Sequence, residues 1–402
     1  MKDKLDNIFW LTVFFPFISP IVLATDLQPI AGFMSLLIIA RAVINREVIL
    51  NSFTIPIFLF FIYSSIFLMI DIIRDSLNLS KHISFVYGLI VFLACNYCSS
   101  LPYKLFSYIV FIYFGLCVIS YILPDTYYQF QNYIVNNRNN DAGYIFTTES
   151  ARGASILAPE PSFYGAILAF LLLFNQFFYD RKQQSAKSFW ILFCLISIQI
   201  ILNKSGTGLL FFAIYSIYTI ALQLTLISKI RIVAIGSMVI LLIFSQLQID
   251  IEDLQTFGRS LDLAIKLLNQ DYEALTSDAS MGTRITDFLV GFLGLIEYPL
   301  GIGVGGVKNV LILINEKYNL DLFLLDDRSG VATSLSYGLL AFGFPFLFLI
   351  VYLYTISKVA LIHKIFSFIF MGLSVSFGFP PIWVLLSKHF VNQLANTKYE
   401  LS

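Results

Sequence analysis

The sequence predicts an all-α polytopic membrane protein with about 11 (10–12) transmembrane helices and two large loops on the outer face of the membrane. Three observations predict this fold class. The 402 residues are 58% hydrophobic and only 12% charged, whereas soluble domains carry about 25% charged residues. Apolar runs long enough to cross a bilayer recur along the chain. Two long polar stretches interrupt them. A chain of this composition could not cover itself with polar side chains in water.

Eleven apolar runs have about the length that crosses the hydrocarbon core of a bilayer. These predicted spans are 8–25, 27–44, 53–71, 83–98, 105–123, 162–179, 189–203, 207–227, 231–248, 334–357 and 366–387. The seventh is short, and Pro16 and Pro20 interrupt the first. We therefore expect membrane helices 1–5 within residues 1–123 and helices 6–9 within 162–248. The C-terminal membrane helices and tail follow within 334–402.

Lysines and arginines in the short connections predict the orientation, because they concentrate on the cytoplasmic side. With the N-terminus inside, twelve of them lie inside: Lys2, Lys4, Arg41, Arg46, Lys104, Arg181, Lys182, Lys187, Lys229, Arg231, Lys358 and Lys364. Five lie outside: Arg74, Lys81, Lys204, Lys388 and Lys398. The long loops, 124–161 and 249–333, then lie outside as well. We therefore expect the protein to act on the outer face, without a cytoplasmic nucleotide.

The first long loop carries charged side chains directly before the sixth predicted span. Arg152 and Glu160 precede the apolar run, and Pro159 and Pro161 restrict the backbone around Glu160. Ser162 is predicted to cap the helix, whose N-terminus favours anionic groups. The preceding stretch YYQFQNYIVNNRNNDAGY combines rings and amides that suit sugars. Two simpler explanations stay open here, a helix-start acid and an ordinary polar loop.

The second long loop is predicted to contain helices and a glycine-rich turn. The stretch DIEDLQTFGRSLDLAIKLLNQDYEAL has apolar residues at helical spacing, which predicts an amphipathic helix on the membrane surface. Arg284 then opens an apolar helix of about 14 residues, a length typical of interfacial or re-entrant segments. The segment GIGVGG, residues 301–306, matches GxGxxG, but no strand–turn–helix unit surrounds it. Its open N–H groups could approach a phosphate or sugar, although an ordinary turn after Pro299 explains it too.

Three arginines stand near predicted span ends on the outer face, namely Arg152, Arg284 and Arg328. Each one alone is usually a solvated side chain. Together they indicate an anion site, because a guanidinium group binds phosphate through a bidentate fork and stays charged. Lys204, in the turn between the seventh and eighth spans, could contact the same anion.

The cysteines and histidines predict neither a redox centre nor a metal site. All four cysteines lie in apolar runs, so the Cys95-x-x-Cys98 pair is best explained by membrane packing, with no nearby histidine. None of the three histidines, His82, His363 and His389, lies in a long loop, and no zinc-ligand spacing occurs. We expect no cofactor. The net charge of zero gives no basic field for nucleic acid.

Four segments, in this order, resemble those of the Wzy-type O-antigen and capsule polymerases. RGASILAPEPSFYG resembles the Arg…Glu-Pro segment before a middle span of that family, and NKSGTGLL resembles its Ser-x-Thr-Gly turn. GTRITDFLVGFLGLIEYPLGIGVGG resembles its Arg…Pro-Leu-x-Gly-x-Gly segment, and SLSYGLLAFGFPFLFL resembles the following span. The resemblance covers roughly residues 150–350, and the first five spans match only as generic membrane helices.

The resemblance implies a glycosyltransferase of the bacterial inner membrane with its active face in the periplasm. Such an enzyme joins oligosaccharide repeat units carried on undecaprenyl pyrophosphate into O-antigen of lipopolysaccharide, capsule or exopolysaccharide. Its partners would be the lipid-linked oligosaccharide, the bilayer and a chain-length regulator protein, with no nucleic acid. An O-antigen ligase and a lipid-linked oligosaccharide flippase or exporter are the alternatives.

The resemblance also implies roles for particular residues. Arg152, Glu160 and Arg284 match motif positions and are the expected catalytic residues, with Glu160 as the proton acceptor. The expected substrate contacts are Arg328, Lys204, Gly301, Gly303 and Tyr164. Two features depart from the family. The Arg-x10-Gly spacing of some members fails at both Arg152 and Arg284, and Ala332 to Ser334 stand where related ligases carry a histidine.

Overall fold

The computed structural model of this chain describes eight stretches of the sequence. They are residues 2–20, 27–47, 54–74, 79–136, 154–223, 279–318, 333–372 and 376–390. Every regular element within them is a helix, and none of these residues forms a β-strand. The predicted all-α class is therefore confirmed for the described part of the chain.

The described elements are fourteen α-helices followed by one short 3-10 helix. In chain order they are α1 (Lys2–Phe14), α2 (Ile30–Ile44), α3 (Thr54–Ile73), α4 (Leu79–Cys95), α5 (Tyr103–Ile122), α6 (Pro124–Ile134), α7 (Pro161–Asp180), α8 (Ala186–Asn203), α9 (Gly206–Gln223), α10 (Ala279–Glu297), α11 (Val307–Tyr318), α12 (Ser334–Ile356), α13 (Leu361–Gly372), α14 (Pro380–Leu385) and the 3-10 helix Lys388–Phe390. Among these, α3, α5, α7, α8 and α12 are long and apolar enough to cross a membrane. The chain is thus a membrane protein, and the total of 11 spans stays a prediction.

Eight of the predicted spans each coincide with one helix, namely α2 to α5, α7 to α9 and α12. The first predicted span, 8–25, ends early, because α1 stops at Phe14. Pro16 stands two residues later, and a proline disfavours helical backbone at the residue before it, here Phe15, and cannot donate a helix hydrogen bond. The predicted span 231–248 lies outside the described residues.

Both predicted outer loops contain helices. The loop 124–161 begins with α6, where Pro124 stands at the start of the helix. In the loop 249–333, α10 has 19 residues rather than about 14, so Arg284 lies inside the helix instead of opening it. The added residues include Ala279, a strong helix former. The predicted amphipathic helix before it lies outside the described residues.

The chain divides into two compact units. Unit 1 contains Met1–Ser19, Leu27–Leu105 and Tyr272–Ser402, and unit 2 contains Pro20–Asp26 and Phe106–Asp271. Unit 1 therefore joins the N-terminal helices α1 to α4 to the C-terminal helices α10 to α14. Unit 2 holds α6 to α9 and nearly all of α5.

One end of unit 1 is held together by a buried carboxylate. Asp6 is fully buried and accepts hydrogen bonds from Arg41 Nη1, at 2.5 Å, and from the Ser99 N–H, at 2.9 Å. Arg41 Nη2 also donates to Tyr97 O at 3.0 Å. These bonds join α1, α2 and the residues after α4. We call this the Asp6 end of unit 1, and the orientation rule predicts that it faces the cytoplasm.

The predicted last span, 366–387, is wrong as a single helix, because two short antiparallel helices occupy it. Ser334 Oγ donates to Met371 O at 3.0 Å, which places the end of α13 beside the start of α12. Ser357 Oγ donates to Leu386 O at 3.1 Å, which places the end of α14 beside the end of α12. The chain therefore reverses between α13 and α14, where two consecutive prolines open α14.

This reversal brings the C-terminal residues of unit 1 to the Asp6 end. Lys388 Nζ donates to Asn96 O at 2.5 Å. Lys388 was predicted to lie outside, and instead it shares an end with Arg41, which was predicted to lie inside. The reversal also places His389 Nε2 3.3 Å from Cys98 Sγ, so the cysteine pair does have a histidine beside it.

Helix α12 is broken near its middle. Gly343 has φ 59° and ψ −143°, which are not helical values, and Pro345 follows. Since proline has no N–H, the carbonyl of Ala341 loses the donor that a regular helix would supply four residues later.

The segment 299–306, which we call the glycine segment, fills this break. Three backbone hydrogen bonds join it to α12: Phe344 N to Pro299 O at 2.8 Å, Ile302 N to Leu340 O at 3.2 Å, and Gly303 N to Ala341 O at 3.0 Å. Leu340 O and Ala341 O are the acceptors that the break leaves without their helical donors. The glycine segment therefore completes the backbone hydrogen bonding of a membrane helix, as a low-dielectric environment requires.

Helix α7 is the centre of unit 2. In its most apolar 18-residue stretch 83% of the residues are buried, against 33% for α5 and α8. Tyr164 stacks on Tyr113 of α5 with 5.8 Å between ring centroids. Gly165 faces Gly208 of α9, and a Cβ added to Gly165 would lie 2.9 Å from Gly208 Cα. Glycine at the crossing therefore permits the close approach of α7 and α9.

Candidate functional site

An irregular buried segment, residues 154–159, leads into α7. The backbone polar groups of a buried segment need partners inside the protein. Side chains from α6 and from the end of α8 supply them. The bonds are Gln131 Nε2 to Ala158 O at 3.2 Å, Leu157 N to Tyr127 Oη at 3.0 Å and to Gln131 Oε1 at 3.2 Å, and Asn203 Nδ2 to Ala154 O at 2.7 Å and to Pro161 O at 2.9 Å. The segment is thus fixed from two sides.

Leu157 carries backbone strain within this segment. Its φ of 51° lies in the left-handed region, which costs a residue with a side chain on the order of 1–3 kcal/mol. Tyr127 Oη donates to Gln131 Oε1 at 2.6 Å, and both oxygens accept from the Leu157 N–H. Burial raises the pKa of Tyr127, so its hydroxyl keeps the proton that this arrangement uses. Strain of this kind persists where the surroundings impose it, and it is common next to functional residues.

Glu160 follows the strained segment at the N-cap position of α7. Its backbone is extended, with φ −147° and ψ 157°, and Pro161 begins the helix. The residue is only partly buried, unlike residues 154–159. Its side chain makes no capping bond to the helix, but it accepts a hydrogen bond from Ser162 Oγ at 3.4 Å. The prediction that Ser162 caps α7 is therefore wrong, because Ser162 lies inside the helix.

Lys204 lies at the same end of unit 2 as Glu160. Its neighbour Asn203 donates to Pro161 O at 2.9 Å, and Pro161 directly follows Glu160. Lys204 ends α8 in the left-handed conformation, with φ 50° and ψ 17°, and it is partly exposed. The structure thus brings a predicted cation and a predicted carboxylate to one end of the unit.

Tyr164 is not available to a substrate in the way that the sequence predicted. It is fully buried, and its hydroxyl donates to Gln199 Oε1 at 2.6 Å. Its ring packs on Tyr113. We therefore correct its role to joining α7, α8 and α5 below Glu160.

The two glycines predicted to contact substrate have a different role. The Gly301 and Gly303 N–H groups donate within the protein, and the Gly305 N–H donates to Asp71 Oδ2 at 2.9 Å. Gly301 and Gly303 have φ values of 80° and 83°, which glycine adopts without strain. A Cβ on Gly303 would lie 2.6 Å from Asp71 Oδ1. These N–H groups are therefore not open to a phosphate or sugar, which corrects the predicted contact.

The structure adds a pair of residues that the sequence prediction missed. Asp71, in the last turn of α3, is fully buried, and its Oδ2 lies 3.0 Å from His82 Nε2 of α4. The same oxygen accepts from the Gly305 N–H. A buried carboxylate needs such partners. Asp71, His82, Gly303 and Gly305 form what we call the Asp71 cluster, and it marks the opposite end of unit 1 from Asp6.

A second contact holds the glycine segment near the Asp71 cluster. Tyr337 Oη, from the first turn of α12, donates to Val304 O at 3.0 Å. Lys81 Nζ lies 5.3 Å from the centroid of the Tyr337 ring, within the range of a cation–π interaction. One sequence signal could have revealed this cluster. Asp71 is the only Asp, Glu, Lys, Arg or His of the predicted span 53–71, and such residues are often functional.

The three predicted anion-binding arginines are not tested by these contacts. Arg152 and Arg328 lie outside the described residues. Arg284 lies in α10, but its side chain lies outside the described part as well. Their joint binding of a pyrophosphate stays a prediction.

Two arrangements in the described residues can therefore carry chemistry. In unit 2, a partly exposed carboxylate stands at a fixed helix start, with a lysine at the same end. In unit 1, a buried carboxylate that is hydrogen-bonded to a histidine accepts a hydrogen bond from the glycine segment. Within the described stretches, no group of three or more His, Cys, Asp or Glu side chains could hold a metal ion. No protein-family model and no curated protein sequence matches the chain.

Proposed function

We propose that this protein is a membrane glycosyltransferase that polymerises oligosaccharide repeat units carried on undecaprenyl pyrophosphate. One observation carries the proposal. Glu160 is a partly exposed carboxylate at the head of a buried apolar helix, and Lys204 lies at the same end of the unit. An enzyme that works on a lipid-linked sugar needs such polar groups at the end of its membrane helices. The resemblance of four segments to those of Wzy-type polymerases supports the same reaction.

In the proposed reaction, Glu160 acts as the general base. Its carboxylate accepts the proton of the attacking sugar hydroxyl, a role worth about 10²- to 10⁴-fold in rate. The hydroxyl oxygen forms a new bond to the anomeric carbon of the donor, and the bond from that carbon to the pyrophosphate breaks. Undecaprenyl pyrophosphate leaves. No nucleotide is consumed, because the lipid pyrophosphate is already an activated donor.

The proposed role of the arginines is to hold the pyrophosphate. Arg152 and Arg284, together with Arg328, would neutralise the charge that develops on the leaving group, as fixed guanidinium groups do. Lys204 would contribute from the end of α8. The side chains of Tyr127, Gln131 and Asn203 fix residues 154–159, which directly precede Glu160. This supports Glu160 as the general base, since an error of a fraction of an ångström in the position of a base affects the rate.

The proposed location is the bacterial inner membrane, with the active end facing the periplasm. The product would be O-antigen, capsule or exopolysaccharide, and a chain-length regulator protein is the proposed protein partner. The predicted orientation supports this placement, because the long polar loops then lie in the periplasm.

A glycan ladder from a deletion strain tests the proposal and separates its rivals. The surface glycan of the strain is run on a gel with and without the gene restored. A polymerase predicts core carrying a single repeat unit in the deletion strain and long chains on restoration. Long polymer that is not attached to core would indicate a ligase. Repeat units that stay on the cytoplasmic face would indicate a flippase or exporter. An unchanged ladder would contradict all three.

A further inference from the structure

An exposed ion pair joins the ends of α10 and α11 in unit 1. Lys317 Nζ lies 2.6 Å from Glu297 Oε2, and Tyr318 Oη donates to Glu297 Oε1 at 2.5 Å. The side chain of Lys317 is 56% exposed and that of Glu297 is 26% exposed. Glu316, next to Lys317, is exposed as well. Three charged side chains therefore stand together on one surface.

The packing of α10 on α12 gives the depth of this ion pair along a membrane-spanning helix. A Cβ added to Gly294 would meet the side chain of Leu340, and Pro299 O accepts from the Phe344 N–H. Glu297 stands between Gly294 and Pro299 in the sequence, so it lies beside α12 between Leu340 and Phe344. These two residues follow the start of α12 by six and ten residues, or about 9 and 15 Å.

Helix α3 gives the same depth independently. Tyr63 Oη donates to Leu300 O, and Leu300 follows Glu297 by three residues. Tyr63 stands ten residues, or about 15 Å, before Ile73, where α3 ends. The exposed side chains from Ile66 to Ile73 are all apolar, so the hydrocarbon of the membrane reaches the end of α3. Since that hydrocarbon is about 30 Å thick, the ion pair lies near the middle of the membrane.

Two kinds of surface are exposed at this depth. Ile296, Leu300 and Phe344 expose apolar side chains, as a surface in contact with lipid tails does. The last turn of α11 instead exposes Glu316 and Lys317. Charged side chains in a membrane almost always face the interior of a bundle or a water-filled cavity, because hydrocarbon does not solvate them. This face of α11 is therefore not in contact with lipid.

Water fits this face of α11 better than a second protein surface does. A protein that covered it would remove three charged groups from water and would have to compensate each of them. Among the described residues Glu316 makes no ion pair, so it would need a new cation. Water solvates all three charged groups without such partners.

We propose that unit 1 bounds a water-filled recess that reaches the middle of the membrane, with α11 as one wall. The recess opens at the Asp71 end, because α11 begins directly after the glycine segment that Asp71 holds there and leads from it to the ion pair. Such a recess admits polar molecules to a depth from which lipid would exclude them. The inference does not rest on the proposed sugar transfer, since exposed charges at this depth need water whatever the reaction.

Spin labelling tests this proposal with the full chain in liposomes. The background variant is Cys194→Ala, which removes the exposed cysteine, and the other three cysteines are buried. Glu316→Cys places a label on the face of α11. Phe344→Cys is the matched control, because Phe344 lies at the same depth and is 40% exposed. Collisions of each label are measured with oxygen, which concentrates in hydrocarbon, and with a water-soluble nickel chelate.

We expect the label at position 316 to collide with the chelate at least five times more often than the label at position 344, and less often with oxygen. Equal access of the chelate to both positions would place this level outside the membrane. A preference for oxygen at both would place position 316 in lipid, and access of neither reagent to 316 would show a protein cover. Each of these three results would overturn the proposal.

A charged thiol reagent tests where the recess opens. Added to intact spheroplasts, it should label Glu316→Cys at least ten times faster than Phe344→Cys. Labelling of position 316 that requires an opened membrane would contradict an opening on the predicted outer side.

A pair of carboxylate substitutions tests the same recess without a label. Leu313 is 51% exposed on α11, one turn before Lys317, so Leu313→Glu adds its charge to water in the recess. Phe344→Glu adds the same charge to hydrocarbon, where it is costly. We expect the amount of folded protein in the membrane to stay within twofold of wild type for Leu313→Glu and to fall at least fivefold for Phe344→Glu. Equal losses in the two variants would contradict the proposal.

Discussion

Two irregular segments lie beside helix ends in this protein, and they are held by different means. Residues 154–159 of unit 2 are fixed by neutral side chains, those of Tyr127, Gln131 and Asn203. The glycine segment of unit 1 is fixed by backbone bonds to the broken helix α12 and by the buried carboxylate of Asp71.

The difference indicates what each segment is for. The first arrangement leaves a carboxylate, Glu160, partly exposed at the end of a rigid support. In the second arrangement, the N–H groups of Ile302, Gly303 and Gly305 donate within the protein and Asp71 is buried, so the segment serves as a structural part of the membrane helices. We therefore expect changes in the first segment to act on catalysis and changes in the second to act mainly on stability.

The largest expected effect is the loss of polymerisation when Glu160 is replaced, and it separates a catalytic role from a structural one most clearly. Glu160→Gln keeps the shape of the side chain but removes the proton acceptor, so we expect polymerisation to fall at least about 100-fold. The amount of protein in the membrane should not change. Glu316→Gln, an exposed position on α11, is the control and should stay within about twofold of wild type. Full activity in Glu160→Gln would remove Glu160 from the mechanism.

The glycine segment should respond through stability. Gly301→Ala places a Cβ against the Ala341 carbonyl and Phe342 Cα at φ 80°, so we expect a loss of about 2–5 kcal/mol in the free energy of unfolding. Gly115→Ala is the control, because nothing lies within 4 Å of the added Cβ. Thermal unfolding of the two variants in detergent measures the difference. If Gly301→Ala were as stable as Gly115→Ala, the glycine segment would not be closely packed against α12.

Replacing Asn203, which anchors residues 154–159, should moderately reduce both the stability of the protein and its kcat. Asn203→Leu leaves the carbonyls of Ala154 and Pro161 without this donor, at a cost of about 1–3 kcal/mol for each buried group. Since these bonds position Glu160, we also expect kcat to fall more than tenfold at a temperature where the variant is still folded. A stable variant with normal kcat would show that these bonds do not position the proposed catalytic carboxylate.

The smallest expected effect concerns the Asp6 end. Burial acts to raise the pKa of Asp6, but the bonds from the Ser99 N–H and Arg41 outweigh it and hold the pKa below its ordinary value of 3.8. The carboxylate is thus more acidic in the folded protein than in the unfolded chain, so its stabilisation is present above 3.8. This contribution of Asp6 to the free energy of unfolding is lost as the pH falls from 3.8 through the lower pKa of the folded state.

Asp6→Asn tests this linkage. The variant should be less stable than wild type at neutral pH, and the difference in unfolding temperature should shrink as the pH falls below 3.8. A difference that is constant with pH would show that Asp6 acts through packing rather than through its charge.

The helices were largely predictable from the sequence, because each follows from a local run of apolar residues. The reversal inside 366–387 was not, since α13 and α14 are as apolar as one span would be. It becomes visible only through contacts such as Ser357 with Leu386. The predicted position of Lys388 failed for the same reason.

The site was predicted in part. Glu160 and Lys204 were predicted because charged residues at span ends stand out, and the structure places both at one end of unit 2, while their roles in a site stay predictions. The Asp71 cluster was missed because its two glycines are far from Asp71 in the sequence. Gly305 lies 234 residues after Asp71, and no local pattern joins them. Tyr164 was misassigned because only the position of Gln199, which accepts its hydrogen bond, shows that its ring faces inwards.

The most direct test is reconstitution of the purified protein in liposomes with a purified undecaprenyl-pyrophosphate-linked repeat unit and no nucleotide. The proposed function predicts products with two, three and more repeat units, together with one free undecaprenyl pyrophosphate for each bond formed. If the wild-type protein leaves the repeat units unjoined while remaining folded, it is not a polymerase acting by itself, and the central proposal is contradicted.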